Sequence, residues 1–417
     1  MNVSERLKKH VLVDGFHIVV DVKNSQDSWI VDAESGKKYL DCYSQFASQA
    51  LGWNHPYMDS WKSYMGEMSL HKIANSDMYC QEYANFVESF ADATPDFEHY
   101  FFIDGGALAV ENALKAAFDW KYQLHPTDNL DVIHFNGAFH GRTGYTLSLT
   151  NNSGPDNENI KTKWFPKFNW SRVSAPKIPF PMNENDLKYS ENKTISEIMI
   201  ALSSGNVAAI IIEPIQGEGG DNHFRKEFFV ELRKIADYHE CMLIFDEVQT
   251  GVGLTGKMWC YEHFGVIPDM ICFGKKTQVC GFCSTNRIDE VKDNVFSVSG
   301  RINSTWGGNI VDMIRSRIIL QSIKDLHLLE RVKQTGDYFL NQLLTIKSDQ
   351  VSNIRGRGLM LAFDLPDTQS RDILVDKLKE NMLVLKSGTK SIRFRPSLTF
   401  SKQDVNQAIE FLNIALS

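Results

Sequence analysis

Between residues 100 and 300 one pattern recurs: a short apolar run, a polar break, then a stretch whose apolar positions return every three or four residues. The runs YFFID, DVIHF, VAAIIIEP, CMLIFDEV and DMICFG read as strands, and ENALKAAFDWKYQ and KEFFVELRKIADYHE as helices between them. Strands apolar on both faces that alternate with helices predict an α/β architecture, a mostly parallel sheet covered on each side. Ligands of such sheets gather at the carboxyl ends of the strands, which gives weight to the polar residues found there.

Outside this stretch the pattern changes. The first fifty residues predict a helix and then a hairpin, because Ser25-Gln26-Asp27 and Glu34-Ser35-Gly36 interrupt runs such as WIVDA and KKYLDCY. Residues 151–195 are rich in Pro, Asn and Asp and read as a long irregular excursion, of a length that suits a functional or oligomer-contact role. A long amphipathic pattern from Val311 to about Thr345 leads out of the sheet, and GLMLAFDLPD, RDILVDKLKE, IRFRPSL and a final helix predict a small α+β domain. The expected division is an N-terminal segment, 1–50, that joins the small domain; a large ligand-binding domain, 51–310; and the small domain, 311–417.

Composition narrows the class of protein. With 417 residues, 43% hydrophobic and 23% charged, the chain is long enough for a substantial core. A net charge of -8 leaves no broad cationic face, so neither nucleic acid nor an acidic membrane is an expected partner. Seven scattered cysteines, an odd number set among apolar neighbours, read as reduced thiols and a cytoplasmic location. The opening MNVSERLKKHVLVDGFHIVV mixes charge into its apolar residues and is a poor secretory signal, and no run approaches the ~20 apolar residues that span a bilayer.

Candidate chemistry sits at the strand ends. CMLIFDEV finishes in Asp246 and Glu247, and a carboxylate that follows a buried run needs a compensating partner. Turn capping is the plain alternative. Gly251-Val252-Gly253-Leu254-Thr255-Gly256-Lys257 nearly satisfies a phosphate-binding P-loop and fully satisfies GxGxxG, but Met258 stands where a P-loop has Ser or Thr, and no clear helix opens there. The next run, DMICFG, ends in Lys275-Lys276, at the same sheet edge as Asp246. A poorly solvated lysine becomes a Schiff-base nucleophile, and an aspartate one strand away is what keeps the pyridine nitrogen of pyridoxal phosphate (PLP) protonated. A solvated turn is the rival explanation. Gly105-Gly106-Ala107 before LAVENALKAAFDW offers helix N-terminal amides to a phosphate, or is merely a tight turn. Phe139-His140-Gly141-Arg142 after DVIHF offers a ring to stack on a flat cofactor and a guanidinium for a carboxylate. Cys280 and Cys283 form a lone CxxC, weak as a metal or redox signal, and no metal is expected.

Four segments resemble one family, the fold-type I, class III (ω-) aminotransferases: GGALAVENALKAAFDWK; FHGRTGYTLSLTN; EPIQGEGG with FDEVQTGVGLTG; and FGKKTQVCG with NSTWGGN. They run from about residue 100 to 310, and ALGWNHP and IRFRPSL are compatible. Within the family, GGALAVENALKAAFDWK, GKKTQVCG and RINSTWGGN resemble the branch that acts on the ε-amine of lysine rather than on ornithine or acetylornithine. The resemblance implies a seven-stranded sheet flanked by helices, a PLP cofactor and a homodimer with a shared site. It makes Lys275 the Schiff-base lysine and proton shuttle, with Lys276 as the rival, and pairs Asp246 with the pyridine nitrogen. Gln249 approaches the phenolic oxygen, Val248 packs under the ring, and Phe139 stacks on its other face. Gly106 and Ala107 hold the phosphate, joined by Ser304 or Thr305 from the neighbouring subunit. The segment after the lysine, Thr277-Gln278-Val279-Cys280, departs from the family's usual glycine-rich run.

The same resemblance assigns the substrate groups. An ω-aminotransferase binds an amine whose reacting carbon carries no carboxylate, then a 2-oxo acid whose reacting carbon does. Arg393 matches the arginine that reads the α-carboxylate, and Glu218 the carboxylate that masks it during the amine half-reaction, since an unpaired guanidinium against an alkyl chain is costly. Arg142 takes the distant carboxylate. The expected reaction passes the ε-amine of L-lysine to 2-oxoglutarate, giving glutamate and 2-aminoadipate 6-semialdehyde. The alternatives are another ω-amine donor (ornithine or 4-aminobutyrate), a catalytically silent PLP fold and, remotely, a P-loop-like nucleotide-binding protein.

Overall fold

A computed structural model describes residues 2–152 and 160–417. Its centre is a seven-stranded sheet in the order His99–Ile103, Cys280–Ser284, Met270–Phe273, Met242–Asp246, Val207–Ile212, Asp131–Phe135, Arg172–Val173. The sheet is mostly parallel, as expected: among the described residues one strand, Cys280–Ser284, runs against both of its neighbours. Val207–Ile212 and Met242–Asp246 are buried at every position, the mark of central strands covered on both faces. Side chains alternate between two cores: Met242 and Ile244 pack with Val110, Leu114 and Trp120 of helix Gly106–Leu124, while Leu243 and Phe245 join the larger core on the other face. In that larger core Phe90 lies at the centre of an aromatic group, 4.5 Å from the ring of Phe273 and 5.8 Å from that of Phe102.

The parallel register pairs Cys272 with Asp246. The chain leaving Met270–Phe273 at Gly274-Lys275 therefore emerges beside the end of the Asp246 strand.

A four-stranded antiparallel sheet, in the order Ser352–Arg357, Met360–Asp364, Ser391–Phe394, Leu385–Ser387, forms the core of the C-terminal part, with helices Thr368–Leu378 and Lys402–Leu416. The hairpin Trp29–Val31/Lys38–Asp41 takes Met382–Leu383 as its third strand, so the two ends of the chain share one small sheet.

Two sequence expectations need correction. The amphipathic pattern after Val311 is two helices, Ile310–Asp325 and Leu328–Leu344, parted at His327, whose φ of +50° ends the first. Of the excursion over 151–195, residues 153–159 lie outside the described residues, and its last part is helical. Asn183 caps helix Glu184–Leu202 by accepting from the backbone N–H of Asn185 and Asp186, and Leu187, Thr194, Ile198 and Leu202 line its buried face. The Asn-rich stretch that reads as loop is thus partly a helix start. All seven cysteines are free, and among the described residues no helix is long and apolar enough to cross a membrane.

Phe90→Ala removes the central ring of the aromatic group and should cost about 3–5 kcal/mol of stability, read as a lower urea midpoint with an unchanged slope.

Candidate active site

A cavity of about 610 Å³ opens at the carboxyl edge of the sheet, and Asp246, Lys275, Phe139, Val248, Gly106 and Ala107 all line it. Asp246 is 5% exposed. Its Oδ2 lies 2.8 Å from His140 Nδ1, and its Oδ1 accepts the Val248 N–H at 3.1 Å. His140 Nε2 is buried with no hydrogen-bond partner among the described residues, so the imidazole's one strong contact is the carboxylate. Glu247 turns the other way. It accepts the N–H groups of Cys260 (3.0 Å) and Tyr261 (2.8 Å) and the Thr250 hydroxyl, and burial pushes its carboxyl up to about 7.

The glycine run after it is no phosphate loop. No α-helix opens there, only the short 3-10 turn Cys260–His263; Gly253 and Gly256 adopt φ of +83°, and side chains at these two positions would meet Leu329 and Leu398, and Lys333. The run fastens helix Leu328–Leu344 to the sheet.

The two lysines separate cleanly. Lys275 lines the cavity at φ +53°, and its amine makes no ion pair or hydrogen bond among the described residues. Burial lowers its pKa below that of an ordinary lysine, and Arg393 adds to this, while Asp246 and Glu213 oppose. Lys276 is 1% exposed and donates to the Ala47 carbonyl at 2.7 Å, outside the cavity lining.

Helix Gly106–Leu124 begins at the cavity, and Gly105 before it supplies no side-chain cap, so its first amides lack protein acceptors. Gly141, at φ +122°, makes room for this end: a Cβ there would lie 2.4 Å from Ala107 Cβ. Glu213, at the end of Val207–Ile212, holds the Phe139 loop by accepting the N–H groups of Phe139 (2.9 Å) and Gly217 (3.0 Å), and burial pushes its carboxyl up to about 7.

Glu218 joins this cavity to a second one of about 930 Å³, which Phe16, Tyr43, Phe46 and Arg393 also line. Its carboxylate binds Arg393 Nη2 on one oxygen and Lys161 Nζ on the other at 2.5 Å. Burial raises the Glu218 pKa, but the two cations outweigh it and hold the carboxyl below its usual range. Arg393 Nη1 and Arg395 Nε donate to Gln249 Oε1 at 3.3 and 3.0 Å, which places Gln249 between the large-sheet loop and strand Ser391–Phe394. Arg142 is exposed at the cavity rim.

Ser304 and Thr305 are not brought to this cavity. Ser304 Oγ accepts the Gly307 N–H at 3.0 Å, and the Thr305 carbonyl accepts from Ser76 Oγ at 3.1 Å.

Sequence reasoning passed over His140, Glu213, Lys161 and the Ser44–Ala47 turn. Glu213 obeys the rule that found Asp246, an acid directly after a buried strand, and His140 stands inside a segment singled out for its neighbours. Lys161 reaches Glu218 from a loop with no local signal. Ser44–Ala47 carries positive φ at four successive non-glycine residues (+39° to +68°), a left-handed turn that costs roughly 1–2 kcal/mol per residue and that no residue preference announces.

These groups fit PLP. Uncapped amides could take a phosphate, a buried carboxylate could hold a ring nitrogen, Phe139 and Val248 offer apolar surface, and an amine with lowered proton affinity and no partner among the described residues lines the same cavity.

The profile described as "Aminotransferase class-III" matches residues 12–416. L-lysine-epsilon aminotransferase from Mycobacterium tuberculosis is 46% identical over 99% of this chain and 95% of its own length. That from Streptomyces clavuligerus is 43% identical over 99% and 93%. A 4-aminobutyrate aminotransferase from Saccharomyces cerevisiae is 33% identical over 95% and 89%. Among solved structures, lysine aminotransferase from M. tuberculosis in the internal aldimine form superposes with a TM-score of 0.95 at 46% identity, covering 99% of this chain and 98% of that one.

Gly141→Val should force the helix start away from the cavity and weaken PLP binding on the order of tenfold or more, about 1.4 kcal/mol per decade, measured by fluorescence titration of the cofactor-free protein.

Proposed function

The chain belongs to the class III aminotransferases, and from that premise we propose that it transfers the ε-amino group of L-lysine, with PLP as cofactor and 2-oxoglutarate as acceptor. The observation that carries the donor assignment is the full-length likeness to lysine ε-aminotransferases, well above that to the 4-aminobutyrate enzyme. The products are then 2-aminoadipate 6-semialdehyde and glutamate.

When bound, PLP supplies an aldehyde that condenses with amines and a ring that draws electrons from the substrate carbon. The protein's groups do the rest. Asp246, oriented by His140, holds a proton at the ring nitrogen. The amides of Gly106 and Ala107 bind the phosphate, and Ser304 or Thr305 of the partner subunit completes that seat in a homodimer. Phe139 and Val248 fix the plane of the ring, and Gln249 reaches its phenolic oxygen. Lys275, its proton affinity lowered by burial, moves the proton at the reacting carbon.

Glu218 and Arg393 sort the two substrates. With lysine bound, their ion pair leaves the alkyl chain no bare cation to face, and Arg142 at the rim takes the distant carboxylate. With 2-oxoglutarate bound, Arg393 must take the α-carboxylate. Lys161 then matters, because it remains beside Glu218 when Arg393 leaves. A half-buried carboxylate left without its cation is costly, and a second cation lowers that cost.

Turnover measured with lysine, ornithine and 4-aminobutyrate should favour lysine; preference for either of the others contradicts the donor assignment. Glu218→Gln should lower kcat/KM for lysine on the order of tenfold and affect 2-oxoglutarate less, because Arg393 loses its mask but not its reading of the α-carboxylate.

A further inference from the structure

Lys276 has no part in the chemistry above, yet it is a lysine buried to 1% exposure, with its amine on a backbone carbonyl. That carbonyl belongs to Ala47, the last residue of the left-handed turn Ser44–Ala47. The turn lies between the two cavities: Ser48 after it lines the inner one, and Phe46, 52% exposed at its tip, lines the outer one with Tyr43 and Phe16. Tyr43 meets Phe46 edge-on at 4.8 Å and Phe16 at 5.3 Å.

Local bonds close the turn: Ser44 N–H reaches Asp41 Oδ1 at 2.6 Å, and Gln49 N–H the Ser44 carbonyl at 3.0 Å. Three long-range contacts fasten it to the rest of the protein: Ser44 Oγ donates to the Arg395 carbonyl, Gln278 Nε2 donates to the Ser48 carbonyl at 2.9 Å, and Lys276 Nζ donates to the Ala47 carbonyl at 2.7 Å. Two of these three come from the segment that carries Lys275. The turn is thereby tied to the same 275–278 segment that presents the reactive amine, so the distance between amine and outer wall is set by one rigid piece.

We propose that Lys276 is a positioning residue: it clamps the left-handed turn so that Phe46 and Ser48 form the wall along which the donor's alkyl chain lies, and so sets affinity for lysine without touching the reacting atoms. Burial, with Arg395 and Lys275 close by, lowers the pKa of the Lys276 amine well below the usual lysine range. The inference rests on lysine being the donor. A wild-type protein that does not turn over lysine sinks that reading, whereas the variants below test the clamp alone.

The test is a double-mutant cycle on the holoenzyme. Lys276→Met keeps the length of the side chain and removes the donor. It should raise KM for lysine on the order of tenfold with kcat and the absorbance of the Lys275-bound cofactor little changed, the penalty for freeing a carbonyl and loosening the wall. Phe46→Ala should raise KM as well, and adding Lys276→Met to it should raise KM little further, because the clamp then has no wall to place. A lower melting temperature with KM unchanged, or effects on KM that multiply in the double variant, overturns the proposal. If Lys276→Met does not fold, Lys276→Gln, which keeps a donor but is too short for Ala47, is read by the same outcomes.

Discussion

The parallel pairing of Met242–Asp246 with Met270–Phe273 is the constraint on which the site depends. Its register sets Cys272 against Asp246, so the chain that leaves the second strand puts Lys275 within the same cavity as the carboxylate. A slip of one residue would send every side chain of the strand to the opposite face. Both strands are buried throughout, and the packing of Leu243 and Phe245 on one face against Met242 and Ile244 on the other forbids that slip. The hydrophobic pattern of the core is therefore also what aligns an acid with an amine.

Around that pair the protein supplies several of its buried or half-buried ions with a partner from a distant part of the chain. Asp246 has His140, Arg395 has Asp221, and Glu218 has both Arg393 and Lys161. The strand Ser391–Phe394 and the residues after it bring two guanidinium groups to Gln249 and the Glu218 loop, so the C-terminal sheet completes a site begun on the large one. A buried ion left without its partner is expensive, which makes these contacts strong determinants of geometry even where their net stabilisation is small. Among the described residues the Lys275 amine has no hydrogen-bond or ion-pair partner, which suits the Schiff-base role proposed for it.

Much of this was legible in the sequence because the signals were local. The alternation of apolar runs and helical stretches announced the parallel sheet, and the acids and lysines directly after the runs announced its working edge. Resemblance to the class III enzymes then singled out Lys275, and the buried contact of Lys276 with Ala47 agrees with setting that neighbour apart. The parts that were not legible depend on tertiary contacts. Nothing near Lys161 points to Glu218, nothing in Ser44-Gln45-Phe46-Ala47 favours a left-handed turn, and the Asn-rich stretch before Glu184 looks alike whether it is loop or helix cap. Ser304 and Thr305 stand away from the cavity of their own chain, and their reading as ligands depends on a second subunit.

The central claim is that the cofactor is carried by Lys275 and that Asp246 governs its ring. Reduction of the holoenzyme with borohydride, followed by digestion and mass mapping, tests it most directly. The account predicts a reduced pyridoxyl group on Lys275 and on no other lysine, with the same site unlabelled in Lys275→Ala; a label on Lys276, or none at all, contradicts it.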